Sequence, residues 1–167
     1  MPLEECGNMI ITTLAYSQRT EDTAYLSQHY TILKQWTGYL IQEALIPANQ
    51  LSTDDFQGQL ANQTNLALKG IIAIQAMSEI ASKTGNTDDA QNYSSIAHEY
   101  IAQWQDLAVV TTASPPHTNL DYQDNSSHGK PYVCGSVKRG MLMIYRTSIQ
   151  SIRRPSPWSE PRPAEYL

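Results

Sequence analysis

Apolar residues recur at helical spacing in four stretches of this chain, and polar residues fill the intervals between them. In the first stretch Met9, Ile10, Thr13 and Leu14 share a face, which predicts a helix over about 4–19. Glu4 and Glu5 suit its first turn, because the positive end of a helix dipole favours anions. A second helix starts after Thr20, read as its N-cap, with Glu21 and Asp22 in the opening turn. Its stripe is Leu26, Tyr30, Leu33, Trp36 or Thr37, and Leu40, and Pro47 closes it. The third helix, about 65–83, is apolar on nearly every side from Leu66 to Met77, and Gly85 suits the position just past its end. Such a helix is enclosed all round. The fourth, about 87–107, is one-sided: Tyr93, Ile96, Ala97, Tyr100, Ile101, Trp104, Leu107 and Ala108.

Two of these stretches repeat one pattern. Thr20-Glu21-Asp22 leads into Tyr25, Leu33, Trp36 and Leu40, and Thr87-Asp88-Asp89 leads into Tyr93, Ile101, Trp104 and Ala108. Gln35 and Gln103 each precede the tryptophan, and both tryptophans read as core residues. The chain therefore reads as two successive helical hairpins, a unit that stacks on others of its kind to bury its apolar faces. An enclosed helix paired with an amphipathic one matches the inner and outer layers of an α/α barrel.

The joints are polar. Residues 48–61 form a long connection, Asn49-Gln50-Leu51-Ser52-Thr53-Asp54-Asp55-Phe56-Gln57-Gly58 at its centre, rich in hydrogen-bonding groups. After Pro115-Pro116 the run 119–124 reads as a short extended or loop segment. Residues 133–167 have no sustained period and are rich in Ser, Arg and Pro, which predicts a largely irregular basic tail after a domain spanning 1–132.

Charge follows the same division. Up to Asp124 four basic residues face fourteen acids, and beyond it seven basic residues face two acids, within a net charge of -5. An acidic body argues against nucleic acid as a partner. No apolar run is long enough to cross a membrane, and the first residues are not those of a signal peptide. Cys6 and Cys134 give no basis for a bridge. His29, His98, His117 and His128 lack metal-ligand spacing, so neither a metal nor a cofactor is expected.

Several pieces together resemble the fungal glutaminase A family, in its central six-hairpin domain. They are Met1-Pro2-Leu3-Glu4-Glu5-Cys6-Gly7-Asn8-Met9, Asn49-Gln50-Leu51-Ser52-Thr53-Asp54-Asp55-Phe56, Leu60-Ala61-Asn62-Gln63-Thr64-Asn65-Leu66-Ala67 with Lys69-Gly70-Ile71-Ile72, and Tyr122-Gln123-Asp124 through Tyr132. The resemblance implies an all-α fold of helical hairpins forming part of an (α/α)6 toroid. It also implies a secreted enzyme that converts glutamine to glutamate and ammonia. Two departures stand out: Cys6 where the family tends to have a small hydroxyl residue, and His128 where it tends to have tryptophan. About two of six hairpins are represented, so the chain reads as an internal fragment, inactive and poorly folded alone.

Amide hydrolysis needs an activated water or nucleophile and a proton for the leaving ammonia, and carboxylates in different environments supply both. The catalytic candidates are Glu4, Glu5, Asp54 and Asp55. Glu4 and Glu5 equally suit dipole complementation, and Asp54 and Asp55 suit an Asx-turn or N-cap. Asn8, Asn62, Gln63 and Asn65 either orient a substrate amide or satisfy buried backbone. Lys69 either pairs with a carboxylate or binds a carboxylate ligand, and Thr53 is a substrate-binding candidate that, like Ser52, could act as a nucleophile although no paired base is evident. Carboxylate pairs in α/α toroids also suit sugar hydrolysis, and an inactive remnant serving as an interaction module is the third reading. Asn62-Gln63-Thr64, Asn92-Tyr93-Ser94 and Asn125-Ser126-Ser127 fit the N-glycosylation triplet.

Overall fold

Each periodic stretch becomes one helix: α1 Leu3–Thr20, α2 Thr23–Glu43, α3 Thr64–Lys83 and α4 Thr87–Ala108, followed by a short antiparallel pair, β1 Val109–Val110 and β2 His117–Thr118. The computed structural model describes residues 2–52 and 58–128. The expected tail over 133–167, Cys134 and the segment carrying Thr53, Asp54 and Asp55 lie outside the described residues.

The α1–α2 corner differs from its sequence reading. Thr20 is the last residue of α1, and its hydroxyl donates back to the Tyr16 carbonyl at 2.9 Å. Glu21 adopts the left-handed conformation, φ 61°, and donates its N–H to the Ser17 carbonyl. The N-cap of α2 is Asp22, whose carboxylate accepts from the Tyr25 N–H at 3.0 Å. Three polar residues in a row offer several caps, and the two-residue corner leaves only Asp22 in reach of the free amides of α2. At the α3–α4 corner, Gly85 takes φ 80° as expected of a residue that ends a helix without a Cβ penalty.

α3 is the centre of the bundle. All but three of its residues are buried, and it packs against α1, α2 and α4. α1 runs parallel to it, with Leu3 against Gly70 and Gly7 against Lys69 and Ala73. That contact requires Gly70: a Cβ built there would lie 2.5 Å from the Ala44 Cβ and 3.3 Å from the Leu3 Cδ2. α2 and α4 return on the outside, each with one buried stripe. They are tied near one end by Asp89, which accepts from the Tyr30 hydroxyl at 2.7 Å and pairs with Lys34 at 2.6 Å. Near the other, the Tyr100 hydroxyl donates to the Ile41 carbonyl at 2.7 Å.

The repeat is real as two hairpins, but its sequence register is displaced. Trp104 is fully buried and donates its Nε1–H to the Thr64 carbonyl at 3.0 Å. Trp36, aligned with it by the tyrosine–tryptophan spacing, is only half-buried, as is consistent with Leu33 holding the core position instead. Burial aligns Ala97, Trp104 and Ala108 with Leu26, Leu33 and Thr37, almost one turn from the sequence alignment. Similar residue types three positions apart lie on the same face of a helix, so the slip keeps the hairpins amphipathic.

The expected segment 119–124 doubles back on the bundle. Asn119 donates its N–H to the Ala108 carbonyl, Thr64 to that of Leu120 and Tyr122 to that of Asn62. These bonds seat the chain beyond α4 across the first turn of α3. Cys6 is a buried, unbridged thiol whose pKa burial raises.

Candidate functional site

Because α1 and α3 are parallel, their N-termini open at one end of the bundle, where α2 and α4 finish. The connection after α2 and the segment after α4 meet there. Helix N-termini offer amide donors and a positive field, and loops at such an end are free to carry function.

Gln50 organises the connection. Its Oε1 accepts the Leu3 N–H at 2.9 Å, serving the start of α1 that Pro2 leaves without a side-chain cap. Its carbonyl accepts from Gln63 Nε2 at 2.7 Å, and the same amide group reaches the Leu60 carbonyl at 2.9 Å. Gln63, read from the sequence as a substrate amide or a backbone partner, serves the backbone. Asn62 stands at φ 58°, with its N–H on the Pro47 carbonyl at 2.8 Å and its own carbonyl taken by Tyr122. The Tyr122 hydroxyl closes the frame on the Leu45 carbonyl at 2.9 Å, and burial pushes its pKa up. Gln50 and Tyr122 were legible as parts of motifs but not as framework, since their partners lie 47 and 77 residues away.

Glu4 and Glu5, neighbours in sequence, enter opposite environments. Glu4 is 5 % exposed and forms an ion pair with Lys69, itself 8 % exposed, whose aliphatic stem passes Gly7. A Cβ on Gly7 would stand 3.2 Å from that stem, so a larger residue there crowds the lysine. Glu5 is exposed and lines an open cavity of about 590 Å³ together with Pro2, Tyr39, Asn49, Gln50 and Gln59. Burial, and then Glu43, raise the Tyr39 phenol above its usual range, which keeps it a proton-bearing donor at that wall.

Of the other sequence candidates, Asn65 is buried in the first turn of α3, and Asn8 is exposed one turn along α1 from Glu5. The structure thus brings Glu4, Glu5, Lys69, Asn62 and Asn65 to one end of the bundle, on the elements that frame the cavity. Among the described residues no group of three or more His, Cys, Asp or Glu side chains could hold a metal ion. His117 and His128 touch, ring centroids 4.0 Å apart, which their spacing in sequence did not announce. No helix among the described residues is long and apolar enough to cross a membrane.

Residues 1–139 match the Glutaminase A six helical-hairpin domain. The chain is 63% identical over 132 residues to a protein named Glutaminase A from Aspergillus oryzae, covering 79% of this chain and 19% of that protein. It is 46% identical over 98 residues to a probable glutaminase of Arthroderma benhamiae, covering 59% of this chain and 11% of that protein. The chain thus spans less than a fifth of the length of these relatives. No solved structure matches it. The family match extends over most of the chain and falls on the helices whose packing has just been described, and the chain belongs to the glutaminase A family through its six helical-hairpin domain.

Proposed function

We propose that this chain supplies part of the catalytic end of a glutaminase-type amidohydrolase, acting on glutamine outside the cell. One observation carries the reading: two adjacent carboxylates enter different environments, Glu5 open to the cavity and Glu4 buried behind it against Lys69. Glu5, open to the cavity, is the group that exchanges a proton with water or with the leaving ammonia. Glu4, paired with Lys69, fixes the first turn of α1, so that Glu5 projects from a rigid base. The names of the two relatives favour an amide over a sugar as the bond broken. The reading assigns Asp54 and Asp55 a supporting role as the carboxylates of the connecting loop, Thr53 and Asn8 to substrate contact, and Asn62, Asn65 and Lys69 to the framework that holds the cavity wall.

Alone, the chain is inactive in this reading, because a pocket built between hairpins needs more of them than two. The test is a chimera in which the 132 matched residues replace their counterpart in the Aspergillus oryzae protein. It is expected to release ammonia from glutamine and to leave aryl glycosides intact, while the chain alone acts on neither substrate. Ammonia release by the chain alone refutes the dependence on further hairpins, and glycoside cleavage by the chimera refutes the amide reading.

A further inference from the structure

Three asparagines stand in Asn-X-Ser/Thr triplets, and the fold presents them differently. The triplet of Asn62 is enclosed: Gln63 is 5 % and Thr64 2 % exposed, and the Thr64 hydroxyl donates to the Asn119 carbonyl at 2.6 Å. The triplet of Asn92 is wound into α4, with Tyr93 in the core and Ser94 facing the groove between α3 and α4. Asn125 is exposed in a turn outside any helix or strand. Asp124 builds that turn, accepting from the Ser126 N–H at 2.9 Å and, through its carbonyl, from the Ser127 hydroxyl at 2.6 Å. The Asn125 Oδ1 accepts from the buried Asn119 Nδ2 at 3.4 Å, and among the described residues no hydrogen bond engages its own Nδ2.

We propose that Asn125 is the acceptor of an N-linked oligosaccharide and that Asn62 is not, an inference resting on the extracellular reading above. The carbohydrate is bulky and needs a surface site, and the acceptor amide has to meet the hydroxyl two residues on outside regular structure. Only the Asn125 triplet is centred on an exposed asparagine outside regular structure; its Ser127 hydroxyl, which accepts from the Leu120 N–H at 2.9 Å and donates to the Asp124 carbonyl, has to leave these backbone partners for the transfer. In the reaction Nδ2 loses one proton and bonds to the anomeric carbon of the sugar. The bond from that carbon to a lipid pyrophosphate breaks, and the pyrophosphate leaves with its electron pair. The donor is the lipid-pyrophosphate-linked oligosaccharide of the secretory lumen, and the proton goes to a base of the transferase. The glycan then stands beside the C-terminal end of α4, where Asn119 anchors the turn on the Leu107 carbonyl.

The test directs the full chain into a yeast secretory pathway with a host leader and a C-terminal control triplet that reports lumenal entry. Protein from both the medium and the lumen is deglycosylated in heavy-oxygen water, and each asparagine is read by peptide mass. Conversion at Asn125 in most chains, with Asn62 unconverted, is the expected result. Ser127→Ala should abolish that conversion and Ser127→Thr should keep it. An unconverted Asn125 beside a glycosylated control, or conversion mainly at Asn62 or Asn92, overturns the proposal. Because the leader is the host's, a negative result bears on Asn125 and leaves the natural location to a separate measurement.

Discussion

Lys69 of α3 and Glu4 of α1 form an ion pair with their side chains only 11% and 6% exposed, across the parallel helix contact that begins the bundle. A buried pair of this kind gains little over well-packed apolar residues, yet breaking it leaves a charge without its counter-ion in a medium of low polarity. Lys69→Met should therefore cost about 3–5 kcal/mol. Adding Glu4→Gln should restore most of that loss, and the denaturant midpoints of the wild type, two single variants and the double variant measure it. A double variant no more stable than Lys69→Met would show that the pair is not the cause.

Gly70 and Gly38 are both helical glycines, and they should respond to alanine in opposite directions. At Gly70 the new methyl meets the Ala44 Cβ at 2.5 Å, so overpacking of about 1–3 kcal/mol outweighs the gain in helix propensity. Nothing lies within 4 Å of a Cβ at Gly38, so Gly38→Ala should stabilise by about 0.5–1 kcal/mol. Thermal unfolding of the two variants separates the cases.

Asp89 gives the fold an acid sensitivity. The hydrogen bonds from Lys34 and then from Tyr30 hold its carboxyl below the usual 3.8. A depressed carboxyl contributes stability that is present above the unfolded value and is lost as pH falls through the folded one. Asp89→Asn should thus lower the melting temperature near neutrality, and the loss should fade as the pH falls through the lowered folded-state value of Asp89. The partners are largely solvent-facing, so the difference should also shrink in salt. A difference that persists unchanged at low pH would contradict the assignment.

Trp104→Ala should cost about 3–5 kcal/mol, since it empties a filled core site and strips the Thr64 carbonyl of its donor. Trp36→Ala should cost clearly less, because that ring is only half-buried. Equal losses would restore the tyrosine–tryptophan register and displace the one seen in the packing.

These contrasts show where the sequence was legible. Helical periods carried the four helices to within two residues except at the end of α2, which stops at Glu43 short of Pro47, and the all-round apolar character of α3 announced its central position. The N-cap at Asp22 was not legible, because Thr20, Glu21 and Asp22 all have capping chemistry and only the corner geometry chooses. The tryptophan register misled because residue identity repeats more readily than burial does. At the site, the pairing of Lys69 with a carboxylate was one of two readings, and the structure supplies Glu4 as the partner. The separation of Glu4 from Glu5 follows from successive helix residues pointing about 100° apart, a difference that decides burial only once α3 is in place. The framework roles of Gln50 and Tyr122 rest on contacts distant in sequence, for which no local pattern exists.

The most direct measurement is the turnover of glutamine by the chimera carrying Glu5→Gln, taken together with its denaturant midpoint. Glu5 faces the cavity, so the variant should keep its midpoint within about 0.5 kcal/mol and lose about 100-fold or more in kcat. Turnover equal to that of the parent chimera would contradict the assignment of Glu5 and return the proton-transfer role to another carboxylate.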